Sequence, residues 1–309
     1  MLLSHYARES NVGAIRGGRT VLIPGAFAYH RPADLAEAVA LLGRFDSDAR
    51  LIAGGHSLIP MMKLRLALPG HLIDLAGIAE LKGARLEGSE IVIGAMTTQH
   101  EIIGDDLLAQ RVPILRETAE LIADPQVRYV GTIGGNVANG DPGNDMPALM
   151  MALSATYVLR GAGGERRVAA RGYYRSTYET AAEPDEVLAA IRIPAPPRGH
   201  GWAYEKLKRK VGDYATAAAA VILTVSGGRI ATCAIGLTNV AGTPLLAADA
   251  AAAVVGTALD KPALARAAGA ATAIAQPAAD GRGSAEYRAQ MAGVMTARAL
   301  ARAFARARS

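Results

Sequence analysis

Cysteine is almost missing from this chain of 309 residues, in which Cys233 stands alone. A single thiol excludes a disulfide within the chain, and it excludes an iron–sulfur or zinc site built on several of the chain's own thiolates. It fits a reducing compartment. Aromatic residues are scarce too, with three Phe and one Trp. Alanine, crowded after residue 215, swells the hydrophobic share of 51%, so the core has to come from Leu, Ile, Val and Met. Long apolar runs are also lacking. The uncharged run at residues 214–228 is too short for a membrane span, and the one at 230–248 holds Gly236, Asn239, Gly242 and Pro244. The N-terminus lacks the apolar core of a signal peptide, so the expectation is a soluble cytoplasmic protein.

Positive charge is not concentrated on the body of the chain. The formal charge is +5, yet residues 1–20 carry three Arg and one Glu, and residues 285–309 carry five Arg and one Glu. The stretch between them is close to neutral, and without a basic face no nucleic-acid binding is expected. No Gly-x-Gly-x-x-Gly follows a strand, and no Gly-x-x-x-x-Gly-Lys-Ser/Thr occurs, so neither a Rossmann site nor a phosphate loop of that kind is indicated. The six histidines show no metal-ligand spacing. Length alone suggests roughly two domains, at about 150 residues each.

Residues 1–20 lack helical or strand periodicity and read as a loose extension, or as the product of a start codon placed too early. Residues 32–45 put Leu35, Val39 and Leu42 on one helical face. Residues 51–53 read as a buried strand that breaks at Gly54-Gly55. Ser57 then caps a helix with Leu58, Met62 and Leu66 on one face, and residues 71–75 form a second strand. A second unit starts near residues 91–93. Thr98 and Glu101 have capping-box spacing, and Pro113 opens a helix that runs to Ala123 and is closed by Asp124-Pro125. Strands are expected at 155–160 and 166–169, and the proline-rich stretch 191–199 reads as a domain edge. Beyond it, residues 218–225 and 230–237 flank Gly227-Gly228 as a hairpin. From Leu245 onward three alanine-rich helices lead to a solvated arginine tail.

Two glycine pairs followed by small polar residues stand out: Ala53-Gly54-Gly55-His56-Ser57, leading into Leu58, and Thr132-Ile133-Gly134-Gly135-Asn136. Glycine lets a backbone approach a ligand and take a positive φ, so that successive N–H groups converge on phosphate oxygens. The first loop also opens onto a helix N-terminus, whose dipole favours an anion. Neither loop holds a lysine, so a diphosphate there would rest on backbone donors and on the hydroxyls of Ser57 and Thr132. A Gly-Gly pair between strand and helix is otherwise only a turn, and spacing leaves both readings open.

Longer motifs carry a family resemblance. Residues 53–65, Ala-Gly-Gly-His-Ser-Leu-Ile-Pro-Met-Met-Lys-Leu-Arg, with Thr-Ile-Gly-Gly-Asn at 132–136, resemble the paired FAD loops of the flavin subunits of the molybdenum hydroxylases. Four further segments are most similar to the branch of that family that serves aerobic carbon monoxide oxidation. They are Gly-Asp-Pro-Gly-Asn-Asp-Met-Pro-Ala-Leu-Met (140–150), Tyr-Glu-Lys-Leu-Lys-Arg-Lys-Val-Gly-Asp-Tyr-Ala-Thr-Ala (204–217), Ile-Gly-Leu-Thr-Asn-Val-Ala (235–241) and Asp-Gly-Arg-Gly-Ser-Ala-Glu-Tyr-Arg (280–288). The resemblance runs from about residue 22 to the C-terminus.

The resemblance implies an α+β chain. A two-subdomain FAD-binding fold of the PCMH/vanillyl-alcohol-oxidase type would span 21–197, with subdomains at about 21–80 and 81–197. A C-terminal domain of small antiparallel sheet and helical bundle would span 198–309. FAD would be held without a covalent bond, its diphosphate on Ala53, Gly54, Gly55, His56, Ser57 and Leu58 and on Thr132, Ile133, Gly134, Gly135 and Asn136. Asp145 matches an acid of the flavin site, although an Asp before Met-Pro-Ala-Leu also reads as a helix N-cap. Tyr214 matches a residue that covers the flavin ring, and Lys206 a basic position near it. From the residues alone these read as a half-buried core tyrosine and a solvated strand end. His56 is expected to pack on the dinucleotide or orient its loop. No catalytic acid–base residue and no metal site are expected in this chain, and Cys233 reads as a small buried hydrophobe.

The role so implied is electron transfer. A large partner subunit with a molybdenum cofactor would oxidise the substrate, and a small one with [2Fe–2S] clusters would pass electrons to FAD for delivery to a quinone-type acceptor. The expected assembly is a dimer of heterotrimers without a transmembrane segment, associated peripherally with the inner face of the membrane. The lone cysteine agrees, because a cluster needs about four protein ligands. Three other readings stay open: the flavin subunit of a molybdenum hydroxylase acting on a heterocycle or aldehyde, a self-contained FAD oxidoreductase of the same fold, and a nucleotide-binding assembly factor.

Overall fold

The computed structural model describes residues 23–308; the extension expected at residues 1–20 lies outside them. The strands Ala28–His30, Ala49–Ile52 and His71–Asp74 form a parallel sheet with His71–Asp74 in the middle. Parallel pairing needs crossovers, and the helix Leu35–Phe45 supplies the first. Asp34 starts that helix by accepting from the Glu37 N–H at 2.8 Å, and Leu35, Ala38, Val39 and Leu42 turn inward.

The helix after the first glycine loop, Leu58–Lys63, is shorter than expected. It stops because Arg65 takes a φ of 59°, a left-handed conformation that ends helical pairing. Leu66 therefore leaves the face that buries Met62 and is exposed, and the Ser57 side chain makes no capping bond.

An antiparallel five-stranded sheet follows in the order Ala84–Glu87, Glu90–Gly94, Val187–Pro194, Thr156–Gly161, Gly164–Ala169. Its middle strand sends Val187 and Ala189 into the core of the first sheet and Leu188, Ile191 and Ile193 into the core of the second. A β-bulge at Ala189 breaks the alternation, so odd-numbered residues before and after it face different cores and this one strand joins the two units. Residues 191–194, expected at a domain edge, are inside this sheet. The capping box of Thr98 and Glu101 forms. The helix Ile114–Leu121 ends before Ala123, which has a φ of 44°. Asp124 does not close that helix; it accepts from the Val127 N–H at 3.0 Å and starts the next, Pro125–Val130.

The third sheet is an antiparallel meander of Gly201–Leu207, Ala217–Ser226, Arg229–Thr238 and Leu245–Leu246. Gly227 and Gly228 both take positive φ at its hairpin. Ala217, Ala219, Val221 and Leu223 face a core shared with the helices Lys261–Ile274 and Ala285–Arg308, while Ala218 and Ala220 face the core of the five-stranded unit. Small residues let backbones meet on that second face: a Cβ on Gly236 would stand 2.2 Å from the Ala148 carbonyl oxygen, so the helix Asp145–Ala152 lies directly on the sheet.

The arginine tail is not a solvated end. Arg302 pairs with Glu117 at 3.0 Å and with Glu205. Arg306 pairs with Glu117 at 2.6 Å and lies over the Trp202 ring, 4.8 Å from its centroid. The terminal helix thereby fastens the meander to the helix Ile114–Leu121. Among the described residues, no helix is long and apolar enough to cross a membrane.

Candidate functional site

These three sheets, with the two-stranded hairpin of Tyr174–Ser176 and Glu179–Thr180, leave a large cleft among them, of about 840 Å³. Both glycine loops, the start of the helix Asp145–Ala152, the end of the strand Gly201–Leu207 and Tyr214 line it.

The first loop leaves the parallel sheet at Ile52. Gly55 has a φ of 73°, and a Cβ there would stand 2.7 Å from Ile59 Cδ1. A Cβ on Gly54 would stand 2.5 Å from the Val130 carbonyl oxygen, so this glycine is needed for packing on the neighbouring chain segment. Among the described residues, the N–H groups of Gly54, Gly55, His56 and Ser57 find no acceptor. Ala53, Leu58 and the exposed His56 complete this wall of the cleft.

The second loop differs. It is the first turn of the helix Ile133–Ala138, with Thr132 as its cap: Thr132 Oγ1 accepts from the Gly135 N–H at 3.0 Å. The Ile133 and Gly134 N–H groups donate to the Thr97 and Ala95 carbonyls at 2.9 and 2.8 Å, and the Asn136 N–H donates to the Thr132 carbonyl at 3.1 Å. The N–H groups of Ile133, Gly134, Gly135 and Asn136 are therefore already bound within the fold, unlike those of residues 54–57. Ile133 is fully buried in the core and does not line the cleft; helical periodicity turns its side chain inward. Thr132, Gly134, Gly135 and Asn136 do line it. Asn136 also holds the next helix in place, its carbonyl accepting from Asn144 Nδ2 at 2.7 Å and its Oδ1 accepting from the Met146 N–H at 3.2 Å.

Asp145 is not the N-cap of that helix. Asn144 occupies the cap, and Asp145 is the first helical residue, 3% exposed. Its carboxylate accepts from the Tyr204 hydroxyl at 2.6 Å and from Lys206 Nζ at 2.7 Å. Tyr204 and Lys206 are two apart on one strand, so both point to the same side. Lys206, expected as a solvated strand end when read alone, has a side chain only 1% exposed. It donates a second bond to the Leu121 carbonyl at 3.2 Å, which leaves its third N–H without an acceptor among the described residues. Burial, reinforced by Asp145, pushes the Tyr204 hydroxyl well above its ordinary pKa and keeps it a donor. Burial, with Lys206 close by, lowers the pKa of Lys208.

Tyr214 sits at the rim, 41% exposed, and its ring packs on Gly143. The Arg282 guanidinium lies 5.7 Å from the ring centroid. Burial first, and then Asp141, raise the tyrosine pKa. Asn144, which falls within the 140–150 motif, lines the cleft as well, as do Tyr178 and Gln99, which no motif marks. Cys233 lies half-buried in the C-terminal core, where burial pushes its thiol up to about 12. Among the described residues no group of three or more His, Cys, Asp or Glu is placed to hold a metal.

The arrangement suits FAD. The cleft lies within the range of about 300–1,000 Å³ usual for ligand sites. Four unpaired backbone donors fit a diphosphate, a buried ammonium fits an electron-rich group, and an aromatic at the rim fits a flat ring.

Comparison with known proteins agrees with this chemistry. Residues 25–196 match the family described as FAD binding domain in molybdopterin dehydrogenase, and residues 202–303 match the CO dehydrogenase flavoprotein C-terminal domain. The chain is 66% identical over 288 residues to the carbon monoxide dehydrogenase medium chain of Afipia carboxidovorans, covering 93% of this chain and 100% of that one. It is 53% identical to the carbon monoxide dehydrogenase medium chain of Hydrogenophaga pseudoflava, covering 92% and 99%. A solved structure of reconstituted CO dehydrogenase from Oligotropha carboxidovorans superposes with a TM-score of 0.91 at 66% identity, covering 92% of this chain and 99% of that chain. The chain therefore belongs to the FAD-binding family of the molybdopterin dehydrogenases, with the C-terminal domain of the CO dehydrogenase flavoproteins.

Proposed function

We propose that this chain is the FAD-carrying electron-transfer subunit of a molybdenum hydroxylase, and that the complex it serves oxidises carbon monoxide. The observation that carries the first part is the row of unpaired N–H groups at 54–57, opening on a cleft with a buried ammonium in its wall. Those donors and the Ser57 hydroxyl would hold the diphosphate. Thr132, Gly134, Gly135 and Asn136 would present a small, rigid surface against it. Lys206, oriented by Asp145, would face the flavin end, and Tyr214 would cover the ring and limit access from solvent. Bound there, FAD supplies the capacity to take up two electrons and pass them on.

The substrate reading rests on likeness to the two medium chains. A large subunit with a molybdenum cofactor and a small subunit with [2Fe–2S] clusters are the proposed partners, in a dimer of heterotrimers. The proposed acceptor is a quinone, and the proposed location is the cytoplasm at the inner face of the membrane. Within the chain, we place the FAD-binding part at residues 21–197 and the C-terminal domain at 198–309.

Purification of the native complex with cofactor analysis tests this reading. FAD together with molybdenum, copper and [2Fe–2S] clusters is the expected result. Molybdenum without copper would move the substrate to a heterocycle or aldehyde. Full turnover by the isolated chain would replace the subunit reading with a self-contained oxidoreductase.

A further inference from the structure

One polar side chain in the cleft wall has nothing to bind. Gln99 opens the helix Gln99–Gly104, and its backbone N–H donates to the Gly131 carbonyl at 2.8 Å, just ahead of the second glycine loop. The residue is 1% exposed and lines the cleft, yet neither Oε1 nor Nε2 has a hydrogen-bond partner. Folded chains pair the large majority of their buried side-chain polar atoms, because an amide taken out of water loses bonds it must recover elsewhere. Among the described residues with such orphaned atoms, Gln99 is the only one in the cleft wall. The helix start does not need its side chain either, since Thr98 and Glu101 close the capping box. Ala95, Met96, Ile122 and Val127, which also line the cleft, bring no polar side chain that would serve. Among the described residues, the cleft wall itself supplies no partner for this amide.

We infer that Gln99 is a cofactor-reading residue whose amide donates to and accepts from the polar edge of a heterocyclic ring in the bound dinucleotide. The inference rests on the FAD reading above and adds a contact that none of the motifs contains. A primary amide sets an acceptor beside two donors. That pairing matches a ring edge that itself alternates donor and acceptor, as glutamine matches N6 and N7 of adenine. FAD carries two such edges, one on the adenine and one on the pyrimidine part of the flavin. FMN carries only the second.

The test uses the full-length chain, freed of flavin and titrated with FAD and with FMN, as wild type, Gln99→Leu and Gln99→Glu. The melting temperature of each flavin-free chain serves as the control for folding. Gln99→Leu is expected to weaken FAD binding by about tenfold or more, the loss of one to two neutral hydrogen bonds. Its flavin-free melting temperature should be unchanged or higher, because an unpaired buried amide has been removed. Unchanged FMN affinity would assign the contact to adenine, and a parallel loss would assign it to the flavin ring. Gln99→Glu, which keeps an acceptor but loses the donors, should also bind more weakly. Wild-type binding with FAD affinity unchanged in Gln99→Leu overturns the inference alone. So does a loss of affinity matched by a lowered flavin-free melting temperature in both variants. Failure of the wild type to bind FAD overturns the functional reading, and this one with it.

Discussion

The loops at 53–57 and 132–136 share a glycine pair followed by small polar residues, yet they use their backbones in opposite ways. In the first, the donors of Gly54, Gly55, His56 and Ser57 are unspent and the Ser57 side chain makes no cap. In the second, the donors from Ile133 to Asn136 are all bound within the chain, and Thr132 caps its own helix. Both pairs pack on backbone, but the second lies inside the first turn of a helix whose leading N–H groups reach the Thr97 and Ala95 carbonyls, whereas the first precedes its helix. Gly134 lies on the Ala95 backbone, where any Cβ would collide at 2.5 Å. The second loop spends its donors from Ile133 to Asn136 inside the fold, and the first leaves its donors open at the cleft.

The variant with the largest expected effect strikes the side of the second loop. Lys206→Met would leave the Asp145 carboxylate buried with, among the described residues, Tyr204 as its one side-chain donor, at a cost of about 3–5 kcal/mol. Chemical denaturation should show that loss, and adding Asp145→Asn should recover part of it. Because Asn136 ties the second loop to this helix, amide exchange should quicken at 132–136 and stay unchanged at 54–57.

Gly134→Val comes next, with about 3 kcal/mol of overpacking against backbone that cannot move aside; the melting temperature of the flavin-free chain reads it. Gly55→Val should cost less, about 1–3 kcal/mol for a strained φ, but it should abolish flavin retention. A folded Gly55→Val chain with normal flavin content would end the contrast between the loops.

The smallest pair is the sharpest. Thr132→Ala removes a cap that is present and should cost about 1 kcal/mol. Ser57→Ala removes a hydroxyl that caps nothing and should change stability by less than about 0.5 kcal/mol, while weakening flavin binding. Equal stability losses from the two would show that the loops are equivalent after all.

Local chemistry was readable along the chain. Thr98 and Glu101 announce a capping box because both partners lie within one turn, and Gly227-Gly228 announces a hairpin because the turn needs positive φ at neighbouring positions. Features that depend on distant partners were not. The pairing of Lys206 with Asp145 joins residues 61 apart, and the bonds from Arg306 to Glu117 join residues 189 apart. A tail that looks solvated in one dimension becomes a clasp in three. The early stop of the helix Leu58–Lys63 escaped notice because Arg65 carries no local mark of left-handed backbone, unlike a glycine or proline. Ile133 falls within a glycine motif, but the motif is also a helix turn, and the turn decides where its side chain goes.

By itself, the sequence settled the kinds of residue available for chemistry. One cysteine leaves no iron–sulfur cluster to this chain, and the two glycine pairs mark where backbone comes close to something. Which of those pairs keeps its donors free, whether Lys206 is solvated or sealed, and that Gln99 lies unpaired in the cleft wall were decided only by the tertiary structure. The physical reason is that a residue type states which bonds a group is able to make. Only the packed neighbours, most of them far away along the chain, determine which of those bonds are already taken.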